Sequence, residues 1–269
     1  MIAVGASTAC MYPQDTAESL EMLCQHGIHS FELFLNTFSE FQPNYLDKLK
    51  RIAREYDAQI LSVHPFTSEM ESMFFFSDYP ARLADGLALY ERLFSRAREL
   101  GARFFIFHGG KEHFVKSEEE YFERYQMLLE AAKRQDLLLL HENVVRTKSH
   151  DLDFLLQLSK ALPDARFVLD IKQAVRSGVS PFDFLEHLGN KVEHIHFSDH
   201  NAQKDCLPAG QGTLDLNRFF HQMLLETTCR SVVMELYRSS FGSVENIVES
   251  CHLISKILDD NLHNLDDIR

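Results

Sequence analysis

Short apolar runs alternate with amphipathic stretches from one end of the chain to the other. The runs predict strands over Ile2–Ala6, His29–Leu33, Gln59–His64, Arg103–His108, Leu137–Asn143, Arg166–Ile171, Val192–Ser198 and Ser231–Leu236. Between them, hydrophobic residues recur at helical spacing. Leu83, Leu87, Tyr90, Phe94 and Ala97 form one stripe, closed by Gly101 as a C-terminal glycine. Tyr121, Tyr125, Leu128 and Ala132 form another, opened by the capping-box pattern Ser117-Glu118-Glu119-Glu120. Ser180-Pro181 marks a further helix start. A last stripe, Ile247, Cys251, Ile254 and Leu258, follows a cap at Ser243 and leads into an acidic tail over 259–269.

Strict strand–helix alternation predicts right-handed βαβ units and one closed parallel barrel, a (β/α)8 TIM barrel that takes in residues 1–269 as a single domain. An open doubly wound sheet is the structural alternative. It usually carries a glycine-rich first turn, whereas the turn here is Ser7-Thr8-Ala9-Cys10-Met11-Tyr12. The length of 269 residues, with 45% hydrophobic residues, suits a barrel of this kind. No linker, low-complexity tract or short repeat interrupts it.

Charge narrows the partners. A formal net charge of −13 argues against nucleic acid or an anionic membrane as a non-specific partner, because phosphate binding relies on lysine and arginine. Five scattered cysteines without a C-x-x-C pair suggest a reducing compartment, and no apolar run approaches the roughly 18 residues of a membrane span. A cytoplasmic protein with a small-molecule substrate is expected, a homo-oligomer being possible.

The chemistry gathers where the strands stop. Glu142, Asp170, His196 and Glu235 each follow an apolar run that reads as a buried strand. Strand parity places Glu142 on one face with Leu138 and Leu140, Glu235 with Val233, and His196 with His194 and Ser198. His64 and His108 end two further strands. Taken singly, such an acid is a helix cap or salt-bridge partner, and such a histidine a hydrogen-bonded rim residue. Taken together, three carboxylates near one axis need a shared counter-charge. Three carboxylates and one imidazole form a hard ligand set, suited to one divalent ion: Mn²⁺, Mg²⁺, Co²⁺ or Zn²⁺. Glu142, Asp170, His196 and Glu235 are therefore the expected metal ligands.

In order along the chain, these motifs resemble the xylose isomerase-like TIM barrel superfamily, which includes sugar and sugar-phosphate isomerases and epimerases and the endonuclease IV type. The resemblance rests on His64 in V-H-P, His108 in F-H-G-G, Glu142 in H-E-N-V, Asp170 in L-D-I-K-Q-A, His196 in H-I-H-F-S-D-H, Gly210-Gln211-Gly212, and Glu235 in V-M-E-L. It implies that Glu142 and Glu235, besides holding the metal, are the catalytic bases at the carbon beside a carbonyl. A carbohydrate is the implied substrate.

Departures bear on the substrate. Gln173 stands where the family often has a histidine, and Asp199-His200-Asn201-Ala202 stands where epimerases often place an arginine. Lys172 offers a cation to a substrate phosphate or carboxylate, or is a solvated loop lysine. With His64, His108, Gln173 and Glu32 it makes up the expected substrate-binding set, Glu32 being either a hydrogen-bond acceptor or half of a buried ion pair. Lys111, His113 and the segment Asn36–Phe41 are further rim candidates. The apolar stretch Ser68–Asp78 reads as a lid, an oligomer contact or a loop folded on the rim. A metal-dependent isomerase or epimerase is the leading reading; a lyase or dehydratase using the same enolate, a non-catalytic sugar binder and phosphodiester cleavage are the others. A trinuclear cluster of the endonuclease IV type lacks histidines at Gln173 and in the segment 204–210.

Overall fold

A computed structural model of the chain describes residues 2–266. Eight parallel strands close in sequence order: β1 (Ala3–Ser7), β2 (Ser30–Leu35), β3 (Gln59–Pro65), β4 (Phe104–Phe107), β5 (Leu138–Glu142), β6 (Arg166–Asp170), β7 (Val192–Phe197) and β8 (Ser231–Met234). All eight fall within a residue or two of the predicted runs. β1 pairs with β8 through Ala3 to Ala6 and Ser231 to Met234, which seals the cylinder.

Helices cover the outside. α1 (Thr16–Gln25) and α2 (Pro43–Glu55) follow β1 and β2, and α3 (Ser68–Phe75) and α4 (Pro80–Glu99) follow β3. α5 (Glu118–Arg134), α6 (Leu152–Ala161), α7 (Ile171–Arg176) and α8 (Pro181–Leu188) come next, then α9 (Leu216–Glu226) and α10 (Val244–Asp266). The predicted caps operate. The Ser117 side chain accepts from the Glu120 N–H, Ser180 accepts from Phe182 ahead of Pro181, and Gly101 adopts φ +84° behind α4. Where an acidic tail was expected, α10 continues to Asp266; residues 267–269 of that tail lie outside the described residues.

Two apolar layers result from strand alternation. Outward-facing Phe105, Phe107, Leu139, Phe167, Ile195 and Val232 pack against the helix stripes, including Tyr90, Phe94 and Tyr125. Inside the barrel, Phe104, Ile106, Leu140 and Val168 form a separate plug with Leu138. His194 lays its ring near Phe104, at 5.7 Å between centroids, and starts the polar layer above the plug. The plug matters for function because it confines polar chemistry to the C-terminal mouth.

The segment Ser68–Asp78 differs from its loop reading. It contains α3, whose Phe75 meets Tyr90 and Phe107 edge-on at 4.8 and 5.9 Å, so its apolar residues belong to the core rather than to a free lid. Among the described residues, no helix is long and apolar enough to cross a membrane.

At Gly5 the β1 backbone runs against the Ser30 carbonyl, leaving no room for a Cβ. Gly5→Ala should therefore destabilise the barrel by about 1–3 kcal/mol through overpacking, seen as a lower urea midpoint at unchanged slope. An unchanged midpoint would show that the β1–β2 seam yields freely.

Candidate metal and active centre

Glu142 ends β5, Asp170 ends β6, His196 is the penultimate residue of β7, and Glu235 directly follows β8. All four are buried, and one donor atom from each lies within 4.8 Å of those of the other three. Register brings them level. Asp170 pairs with His196 across β6 and β7, and the Asn143 side chain staples β5 to β6 by donating to the Asp170 carbonyl and accepting from its N–H.

His196 is aimed from below. Its Nε2 lies 3.0 Å from Glu32 Oε2, which keeps a proton on Nε2. Its Nδ1 then faces Glu142 Oε1 at 3.2 Å, Glu235 Oε2 at 3.4 Å and Asp170 Oδ2 at 3.9 Å. The Ser62 hydroxyl donates to the same Glu32 oxygen at 2.8 Å, and His194 Nε2 is 3.4 Å from it. Glu32 is fully buried. The structure thus places it beneath His196, in the buried pairing with histidine that was one of its two expected roles.

Lys172, in the first turn of α7, points inward. Its Nζ lies 2.5 Å from Asp170 Oδ2 and 2.6 Å from Glu235 Oε2. It is neither a solvated loop lysine nor a free cation at the rim. Burial works against its charge, yet Asp170 and then Glu235 hold its pKa well above the ordinary lysine value. The same contest governs His196: burial opposes protonation, while Glu32 and then Glu235 and Glu142 raise its pKa. Asp170 is shifted up, by burial first and by Glu235 against the opposing pull of Lys172.

His64 and His108 meet beside this cluster with their Nε2 atoms 3.2 Å apart. With Glu142 they form a second set of donors within 4.8 Å. Burial and then His108 push the His64 pKa down to about 3, so this ring is neutral. His108 goes the other way: burial is outweighed by Glu71.

Glu71 is the residue that sequence reading missed. It sits on α3, fully buried, and its two oxygens organise the start of the loop after β4. Oε2 accepts from the His108 and Gly109 N–H groups, each at 2.8 Å; Oε1 accepts from the Tyr90 hydroxyl at 2.6 Å and lies 3.1 Å from His108 Nδ1. The available signal was an acid inside an otherwise apolar stretch.

Other candidates take structural posts. Gln173 Oε1 accepts from the Val145 N–H at 3.1 Å, tying α7 to the loop after β5. Asp199 accepts from the N–H groups of His200, Gly210, Gly212 and Leu214 and so fastens the loop after β7; Gly212 has no room there for a Cβ. Lys111 and Arg146 flank Glu69 at 2.5 and 3.3 Å. His113 is exposed beside Phe114, and in the segment after β2 Glu40 turns back to bond Asn36 and Thr16.

A cavity of about 150 Å³ lies over the cluster, lined by His64, His108, Glu142, Lys172, Gln173 and Glu235, with Lys111 and Arg146 also on its wall. An apolar recess of about 290 Å³ adjoins it, lined by Ala9, Tyr12, Phe34, Leu236 and Tyr237, and shares Lys172 and Glu235. The donor set fits a divalent ion. Three buried carboxylates (Glu142, Asp170, Glu235) face His196 Nδ1 and two of them share the Lys172 ammonium, and hard oxygen donors with one imidazole are what Mn²⁺, Mg²⁺, Co²⁺ or Zn²⁺ accept.

The family model described as a xylose isomerase-like TIM barrel matches residues 20–257. No curated protein matches the chain in sequence. Among solved structures, a D-tagatose 3-epimerase-like protein superposes with TM-score 0.80 at 18% identity, covering 98% of this chain and 100% of its own. An L-ribulose 3-epimerase gives TM-score 0.77 at 13% identity, over 100% of this chain and 98% of its own. The probable 3-DHS dehydratase AsbF from Bacillus anthracis gives 0.75 at 14% identity, over 95% and 99%. At such identities the likeness shows a shared fold.

Removing the Glu71 carboxylate strands two backbone N–H groups in the core and leaves the Tyr90 hydroxyl with Thr67 as its remaining partner. Glu71→Ala should cost more than about 2 kcal/mol in chemical denaturation, and Glu71→Gln, which keeps one carbonyl acceptor, should cost less. Equal stability of Glu71→Ala and the parent chain would contradict this anchoring role.

Proposed function

Because the chain belongs to the xylose isomerase-like TIM barrel family, we propose that it is a sugar or sugar-phosphate isomerase or epimerase that transfers a proton at the carbon beside a carbonyl. In this reading Glu142, Asp170, His196 and Glu235 hold one divalent ion. The observation that carries it is the convergence of Glu142 and Glu235, from different strands, on one small buried cavity. The names of the similar structures, an L-ribulose 3-epimerase and a D-tagatose 3-epimerase-like protein among them, point the same way.

When bound, the ion supplies Lewis-acid polarisation of the substrate's carbonyl and adjacent hydroxyl oxygens. The protein supplies the proton movements. Glu142 and Glu235 reach the cavity from β5 and β8, so one carboxylate can take the proton from carbon and the other return one from a different side. His64 and His108 stand within hydrogen-bonding range of a substrate oxygen in the same cavity. A cavity of about 150 Å³ holds a small polyhydroxy compound, while the adjoining aromatic recess accepts a less polar portion.

A second reading is favoured by the overlapping donor set His64, His108 and Glu142. Two ions sharing Glu142 would suit phosphate-ester cleavage, since paired metals clamp attacking and leaving oxygens. The two readings differ in metal stoichiometry and in substrate.

Incubation with ketoses, ketose phosphates and inososes in deuterium oxide tests the first. Divalent-ion-dependent deuterium incorporation next to the carbonyl is expected, abolished by a chelator and lowered roughly 10²–10⁴-fold by Glu142→Gln or Glu235→Gln. Loss of water in place of exchange would assign the same enolate chemistry to a lyase. With metal bound stoichiometrically, silence across the whole panel would overturn the reading; two ions per chain with hydrolysis of a phosphodiester would favour the second.

A further inference from the structure

The proposed metal ligands already hold a cation that the chain itself provides. Asp170 ends β6 and α7 begins at Ile171, so Lys172 sits in the first turn, directly above the barrel mouth. Its stem folds back far enough to put Nζ at 2.5 and 2.6 Å from one oxygen each of Asp170 and Glu235. Those distances are charge-assisted hydrogen bonds, and they use the oxygens that also face His196 Nδ1. An ammonium and a dication compete for these carboxylates, because in a buried site their mutual repulsion is poorly screened.

Lys172 also has somewhere to go. It borders both the polar cavity and the apolar recess, and its Nζ already lies 5.7 Å from the Tyr237 ring centroid. An aromatic face can hold a displaced ammonium that keeps its charge. Removal of the ammonium from the metal-free protein would leave Asp170 and Glu235 buried together with only the His196 imidazole beside them, an arrangement that destabilises a fold.

We propose that Lys172 is a built-in occupant of the metal site: its ammonium holds Asp170 and Glu235 together in the metal-free protein and must swing aside when a divalent ion binds. The inference rests on the four-ligand metal reading above. It makes metal affinity a difference between two occupants, and it places a mobile cation at the substrate cavity only when the ion is in place.

The test is calorimetric titration of Mn²⁺ into chelator-stripped full-length protein, with metal content measured in parallel, for the parent chain, Lys172→Met and Lys172→Gln. Both variants should bind Mn²⁺ about tenfold or more tightly than the parent. Stripped of metal, they should melt at lower temperature than the parent and gain more in melting temperature on Mn²⁺ addition. Should Lys172→Met fail to fold without metal, Lys172→Gln and protein refolded in Mn²⁺ supply the comparison. Affinity equal to or below that of the parent in both variants would overturn the inference and leave the isomerase reading standing. Binding by the variants alone would overturn the inference, since Lys172 would then fill the site permanently instead of yielding it to an ion. Absence of binding in all three folded proteins would overturn both.

Discussion

Buried negative charge at the barrel mouth is the constraint around which this molecule is arranged. Glu32, Glu71, Glu142, Asp170 and Glu235 all lie in the protein interior, within reach of one another's neighbours. A carboxylate there survives only with hydrogen bonds or a counter-charge. The fold answers each one differently. Glu71 is satisfied by a tyrosine, an imidazole and two backbone amides; Glu32 by Ser62 and two histidines; Asp170 and Glu235 by Lys172. Glu142 has only imidazoles near it, His196 at 3.2 Å and His108 at 3.5 Å.

These answers separate two kinds of carboxylate. Glu32 and Glu71 spend their oxygens on holding His196 and His108, and they sit below or behind the rings they hold. Glu142 and Glu235 face the cavity. The same residue type therefore orients ligands in one layer and is available to chemistry in the next. What distinguishes them is depth: the apolar plug of Phe104, Ile106, Leu140 and Val168 forms a floor, Glu32 and His194 rest on it, and the open cluster rests on them.

The strands and the positions of the strand-end acids and histidines were legible in the sequence because both follow from period-two alternation and from where each apolar run stops. Parity alone put Glu142, His196 and Glu235 on the inner face. Features set by contacts between distant segments were not legible. Spacing locates Lys172 two residues after Asp170 but does not say that its stem folds back onto Glu235, 63 residues away. Nor does it say that an acid on α3 reaches the amides of His108 and Gly109, or that Glu32 reaches across the barrel to His196, 164 residues on. The apolar stretch over 68–78 looked like a loop because the eight residues of α3, about two helical turns, leave too short a periodic record.

The departures from the family pattern acquire a physical meaning in this setting. Gln173, where a histidine is common, spends its carbonyl on the backbone after β5, and Asp199, beside the missing arginine, spends both oxygens on four amides of the following loop. Neither position is left to bind substrate directly through those atoms. What remains on the cavity wall is the cations Lys111 and Arg146 flanking Glu69, Lys172, and the adjoining aromatic recess of Tyr12, Phe34 and Tyr237. Two cations sharing one carboxylate carry a net positive charge, and an aromatic wall favours the apolar face of a ring or chain over a fully hydrated one. Under the proposed isomerase or epimerase reading, a substrate that is anionic at one end and less polar at the other matches this surface better than a free, uncharged ketose does.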